Sequence, residues 1–151
     1  MSDVTVREAR QGDLSAIAAL LADDGLGRGR EADDVAVYQA AFARMSAQSQ
    51  NVYLVADSAG EVLGCLQYTV IHGLSRAGAS RAQIEGVRVA ATARGKKIGE
   101  TMMQVAIDRA RHDGCTLIQL TTDQRRVDAR RFYERLGFEA SHFGMKMGLD
   151  T

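Results

Sequence analysis

The chain has 151 residues, 46% of them hydrophobic and 25% charged, which fits one globular domain over residues 1–151 with a core of its own. Its 19 basic and 19 acidic side chains cancel, so the chain as a whole is not a nucleic-acid binder of the basic kind. No apolar run approaches the ~20 residues of a membrane helix, the opening Met-Ser-Asp-Val-Thr-Val is not a secretory leader, and the lone Cys65 and Cys115 in apolar runs read as reduced thiols of a cytoplasmic protein, not as a disulfide or metal pair.

In chain order, residues 4–9 alternate apolar and polar and predict a first strand. Asp13 is placed to cap a helix with Leu14, Ile17, Ala18 and Leu21 on one face. Residues 23–29 hold three glycines and predict a loop. A second helix is predicted over residues 31–46, with Val35, Tyr38, Ala41, Phe42 and Met45 at helical spacing. Asp23, Asp24, Glu31, Asp33 and Asp34 flank this region. They read as capping and solvating charges, with a secondary role in drawing in a cationic amine.

Short apolar strands follow at residues 51–56 and 62–71, joined by the turn signal Asp57-Ser58-Ala59-Gly60. Residues 72–81 predict a loop, residues 84–89 a strand and residues 98–112 a helix closed by Asp113-Gly114. A strand at residues 115–120 and a helix at 127–136 capped by Gly137 come next. Residues 138–149 predict a last, weakly patterned strand or hairpin. The strands flanking the 98–112 helix should run parallel and the hairpin strands antiparallel, giving a mixed sheet with helices on both faces.

Residues 84–99 stand out, reading Ile-Glu-Gly-Val-Arg-Val-Ala-Ala-Thr-Ala-Arg-Gly-Lys-Lys-Ile-Gly. A strand, a glycine-bearing cationic loop and a helix start in succession make an anion site. The first amides of a helix lack partners, its dipole favours negative charge, and loop amides can form a nest for phosphate oxygens. Strict alternation in the strand would mix charged and apolar residues on both faces. One extra residue near Gly86 or Val87 restores Ile84, Val87 and Val89 to one face and turns Glu85 to the other, so a β-bulge is predicted there.

The loop Arg94-Gly95-Lys96-Lys97-Ile98-Gly99 resembles the Arg/Gln-x-x-Gly-x-Gly/Ala motif of the GNAT superfamily of N-acetyltransferases. The segment Ala129-Arg130-Arg131-Phe132-Tyr133-Glu134-Arg135-Leu136-Gly137-Phe138 is similar to that family's Ala-x-x-Phe-Tyr-x-x-x-Gly-Phe helix end. Both occur in the family's order, with a helix and a strand between them. The resemblance implies an α/β, GNAT-like fold: a mixed, largely antiparallel sheet with one parallel pair. It also implies acetyl-CoA as cofactor, a small-molecule or protein amine as acceptor, no membrane partner, and a homodimer as a family-level expectation. Two positions depart from the motif. Lys97 stands where the family has its middle glycine, and Arg126 where many members have asparagine.

The resemblance also implies roles. The amides of Gly95, Lys96, Lys97, Ile98 and Gly99, with Arg94, hold the pyrophosphate. The bulge stretch Val87, Arg88 and Val89 orients the thioester and its oxyanion. Tyr133 is the acid for the leaving thiolate. Arg125, Arg126, Arg130 and Arg131 read as a solvated helix face; alternatively some of them reach the adenosine phosphate. Glu85 is the candidate base, acting through water. A catalytically silent acyl-CoA-binding module is the alternative. Tyr133 argues for the enzyme and the missing middle glycine for the silent module. The loop lacks the endings of nucleotide-binding loops.

Overall fold

The structure, a computed structural model, describes residues 3–23 and 31–150. The elements are β1 (Thr5–Glu8), α1 (Leu14–Ala22), α2 (Val35–Ser46), β2 (Asn51–Ser58), β3 (Glu61–Ile71), β4 (Arg81–Val89), α3 (Ile98–His112), β5 (Leu117–Leu120) and α4 (Val127–Arg135). The strands lie in the order β1-β2-β3-β4-β5. Only β4 and β5 pair in parallel; the other neighbours are antiparallel.

Local chemistry fixes the register. β2 and β3 are joined by Ala59 and Gly60, whose φ values of 53° and 87° give the mirror-image turn that suits strand twist. The Gly60 N–H donates to Asp57 Oδ1 at 2.8 Å. Along β3, Tyr68 is fully buried, and its hydroxyl donates to Asp113 Oδ2 at 2.7 Å, at the end of α3. Buried tyrosines need such a partner for the polar tip.

Two layers cover the sheet. On one face Ile98, Met102, Met103, Ala106 and Ala110 of α3 pack on Leu54, Leu66, Tyr68 and Ile84. On the other, Ile17 and Leu20 of α1 pack on Val55 and Cys65. Each large apolar side chain so buried stabilises the fold by roughly 1.5–3 kcal/mol. Burial pushes the Cys65 thiol up to about 12, so it stays protonated and inert.

Several predicted boundaries move. Asp13 sits before α1, but its carboxylate accepts no bond from the helix. It instead accepts from the Arg7 guanidinium at 2.8 and 3.0 Å and from the Arg10 N–H. α2 begins at Val35, not 31, because Asp34 accepts from the Ala36 N–H and caps it there; the Glu31 carboxylate instead accepts from the Tyr38 hydroxyl at 2.9 Å. β4 begins at Arg81, not 84, because Ala82 already fills the core and Gln83 bonds to Gln119 of β5. β5 begins at Leu117, not 115, since the Cys115 N–H closes the end of α3 on Ala110 O. The predicted strand at 138–149 is absent: residues 139–150 pair with no strand. The loop predicted at 23–29 lies, beyond Asp23, outside the described residues.

Candidate active site

The bulge is present. Cys65 pairs with Arg88 and Gln67 with Glu85, so Leu66 stands opposite both Gly86 and Val87. Gly86 has φ 59°, a conformation a side chain strains. The extra residue leaves Ile84, Val87 and Val89 against the α3 side of the core, while Glu85 is exposed. A Cβ on Gly86 would lie 3.2 Å from the Tyr53 hydroxyl oxygen and 3.5 Å from Leu21 Cδ2, so α1 and β2 close in on the bulge.

Past the bulge the sheet opens. β4 and β5 pair only as far as Ile84 and Leu120, yet β4 runs on to Val89. The Ala90 N–H donates to Leu63 O at 2.8 Å. Alternation along an antiparallel pair then turns the N–H and C=O of Val89 away from β3, into the gap. The Val87 carbonyl accepts from the Arg88 guanidinium at 2.9 Å.

The loop ends at the same place. Gly95 has φ 82° and Lys97 φ 61°, and Lys97 is the residue before α3, with no side chain capping the helix. Lys97 therefore keeps the left-handed backbone of the motif's glycine and does not begin the helix. Among the described residues no backbone carbonyl accepts from the N–H of Gly95, Lys97, Ile98 or Gly99; the Lys96 N–H donates to Ala93 O at 3.4 Å. Arg94, Lys96 and Lys97 are exposed, whereas the Ile98 side chain is buried in the core, leaving only its amide for a ligand. Unpartnered amides at a helix start, ringed by cations, fit a pyrophosphate.

Gly99 joins loop, strand and last helix. A Cβ there would meet Phe132 Cζ at 3.4 Å and Val89 Cγ2 at 3.6 Å. Phe132 and Tyr133 contact edge-to-face at 5.2 Å, and Tyr133 and Phe138 at 6.0 Å. Burial holds the Tyr133 phenol above its usual range; the Arg88 and Arg126 charges pull weakly the other way. Those two arginines are thus within electrostatic reach of the phenol. Arg126 precedes α4.

On the α1 face, Tyr53, Gln67 and Glu85 are successive cross-strand neighbours on β2, β3 and β4. Tyr53 and Gln67 line a cleft of about 210 Å³ with Leu21, Tyr38, Phe42 and Met45. Burial, and then the neighbouring Cys65 and Glu85, push the Tyr53 phenol well above its usual range.

The model of the acetyltransferase (GNAT) family matches residues 15–138. The chain belongs to the GNAT family of acetyltransferases. A solved structure described as a transcriptional regulator from Bacillus halodurans is 47% identical, with TM-score 0.94 over 97% of this chain and 100% of that one. The aminoalkylphosphonate N-acetyltransferase of Salmonella typhimurium is 36% identical over 91 residues, 60% of this chain. The match spans only 58% of that enzyme's length. The L-methionine sulfoximine/L-methionine sulfone acetyltransferase of Pseudomonas aeruginosa is 29% identical over 95% of this chain and 87% of its own.

Within this GNAT frame the predicted residues form two groups. Val89, Gly99 and the α4 aromatics meet at the splayed edge, whereas Glu85 faces the α1 side. Arg125 is tied to Asp123 at 2.8 Å, and Arg130 faces Glu134. His72 bonds Ser80 and His142 bonds Ser141, each at 2.6 Å. Among the described residues no cluster could hold a metal ion and no helix could cross a membrane. Tyr53 and Gln67 carried no signal in the sequence, because only cross-strand register sets them beside Glu85.

Proposed function

We propose that this GNAT protein transfers the acetyl group of acetyl-CoA to a primary amine by direct attack in a ternary complex. The observation that carries the reading is the meeting of three segments at Gly99: the open β4 edge, the amide-lined loop and the helix bearing Tyr133. When bound, acetyl-CoA supplies an activated thioester carbonyl. The amides of Gly95, Lys97, Ile98 and Gly99 would hold its pyrophosphate, with Arg94, Lys96 and Lys97 adding charge.

In the stretch Val87, Arg88 and Val89, the Val89 N–H, turned away from β3, offers a backbone donor to the carbonyl oxygen as it gains charge. One such donor contributes about 10²–10³ in rate in other enzymes. Glu85 takes the proton of the incoming amine through water, as the amine nitrogen must be neutral to attack. Tyr133 retains its proton at neutral pH and gives it to the departing sulfur. The new C–N bond forms as the C–S bond breaks, and the second proton that the nitrogen sheds on becoming an amide restores the Tyr133 phenol, leaving an amide and a free thiol.

The acceptor enters from the α1 face, where the cleft beside Glu85 is apolar and small. Its volume lies below the ~300 Å³ at which ligand pockets ordinarily begin, which favours a small-molecule amine with an apolar body over a protein terminus. A second reading, a silent acyl-CoA-binding module, is favoured by the regulator description of the Bacillus halodurans structure. An acetyl-CoA turnover assay against a panel of amines, read by free thiol release, separates the two. Turnover on a small amine supports the enzyme; coenzyme binding with no turnover on any amine supports the module.

A further inference from the structure

A regular strand points residues an odd number apart to opposite faces, which would set Glu85 and Arg88 on opposite sides of β4. The bulge changes that. Arg88 pairs with Cys65 and Glu85 with Gln67, and residues directly opposite across an antiparallel pair share a face. Cys65 belongs to the cluster packed under α1, and Gln67 lines the α1-side cleft. The two opposite charges therefore stand on the α1 face, one on each side of the bulge.

Tyr53 stands between them. Its hydroxyl oxygen would lie 3.2 Å from a Cβ on Gly86. Burial keeps the phenol protonated and so a donor; the Glu85 charge acts the same way and the Arg88 charge against it. The Arg88 guanidinium is anchored by donating to the Val87 carbonyl at 2.9 Å. On the thioester side its charge also bears on the Tyr133 phenol. A fixed positive charge at this point repels a plain cationic amine. It suits an acceptor that brings a negative charge with its amine, since a guanidinium fork matches a carboxylate.

We propose that the acceptor is a free α-amino acid with an apolar side chain. Arg88 and the Tyr53 hydroxyl hold its carboxylate, Glu85 faces its amine, and the cleft of Leu21, Phe42 and Met45 takes its side chain. An amine and a carboxylate on one carbon match opposite charges that flank one bulge, and the cleft of about 210 Å³ is apolar as that side chain requires. This inference rests on the acetyl-transfer reading and names its substrate class.

The test uses acceptors that differ only in the carboxylate: leucine against isoamylamine, and valine against isobutylamine. With acetyl-CoA present and free thiol release as readout, kcat/KM should favour the amino acid of each pair by about 10–100-fold, the range of a hydrogen bond to a charged group. Arg88→Gln should raise KM for the amino acids and lower it for the plain amines, because the repelling charge is gone; Arg88→Lys should restore part of the preference. A merely structural role would weaken both acceptors alike. Plain amines turned over as well as the amino acids, or an Arg88→Gln loss shared equally by both, would overturn the proposal and leave acetyl transfer standing. No turnover on any amine would sink acetyl transfer itself. Calorimetric titration of leucine and valine into the complex with coenzyme A then decides this inference: binding weakened about 10–100-fold by Arg88→Gln supports it, and no binding to the parent overturns it. If the variants do not fold, the parent's own preference decides.

Discussion

Lys97 holds φ 61° and ψ 26° immediately before α3, and a side chain in that conformation costs roughly 1–2 kcal/mol. Glycine relieves the strain but gives the unfolded chain more freedom, worth about 0.4–1 kcal/mol. The backbone gain on replacing a non-glycine by glycine is therefore about 0.8 kcal/mol at the centre of these ranges. A cation at a helix start also opposes the dipole by about 0.3–1 kcal/mol, so the comparison must remove charge from both variants. Lys97→Ala and Lys97→Gly do so and differ only in backbone freedom. In thermal melts without ligand, Lys97→Gly should exceed Lys97→Ala by about 1–4 °C, at ~2–4 °C per kcal/mol for a chain of this size. Both should bind coenzyme A several-fold more weakly than the parent, and to the same extent, since both lose the cation. A glycine variant no more stable than the alanine variant would refute the left-handed assignment.

Tyr133→Phe should lower kcat by about 10²–10⁴ and leave the coenzyme A dissociation constant nearly unchanged; comparable losses in both would remove it as the acid. Because burial raises that phenol above its ordinary value near 10, its proton is retained throughout the neutral range. Glu85→Gln should flatten the limb in which turnover falls as the pH drops, since a base works only when deprotonated; an unaltered profile excludes it. Arg7 hydrogen-bonds Asp13 and Asp57 and holds both carboxylates below their usual range. Groups shifted this way add stability above the unfolded value of about 3.9 and lose it as the pH falls through the folded value. Arg7→Gln should thus be less stable than the parent at pH 7, with the gap narrowing at acid pH. A gap that stays constant down to acid unfolding contradicts the linkage.

The bulge was legible because Glu85 interrupts an apolar strand, and only a doubled position sets Ile84, Val87 and Val89 on one face. The bounds of α3 were legible to within a residue because a glycine-bearing loop precedes it and Asp113-Gly114 ends it; that Lys97 stays outside the helix shows only in its φ of 61°. The Tyr53–Gln67–Glu85 row was not, because it depends on the register of three strands. That register is set jointly by the Ala59-Gly60 turn and the bulge; a signal for each was present, but neither fixed its position to the residue, and a slip of one residue changes every partner. Asp13 carries a capping signal, but Arg7 competes for its carboxylate, and a long-range ion pair is invisible to local pattern. The tail has the alternation of a strand, yet among the described residues it pairs with no strand, so the alternation alone did not decide its structure.

The central claim is that residues 87–99 seat acetyl-CoA, with the strand half at the thioester and the loop half at the pyrophosphate. A titration of coenzyme A into isotope-labelled protein, followed at the backbone amides, tests it most directly. The amides of Val89, Gly95, Lys97, Ile98 and Gly99 should shift together and saturate at one dissociation constant. Saturating shifts elsewhere, with these amides unmoved, would contradict it.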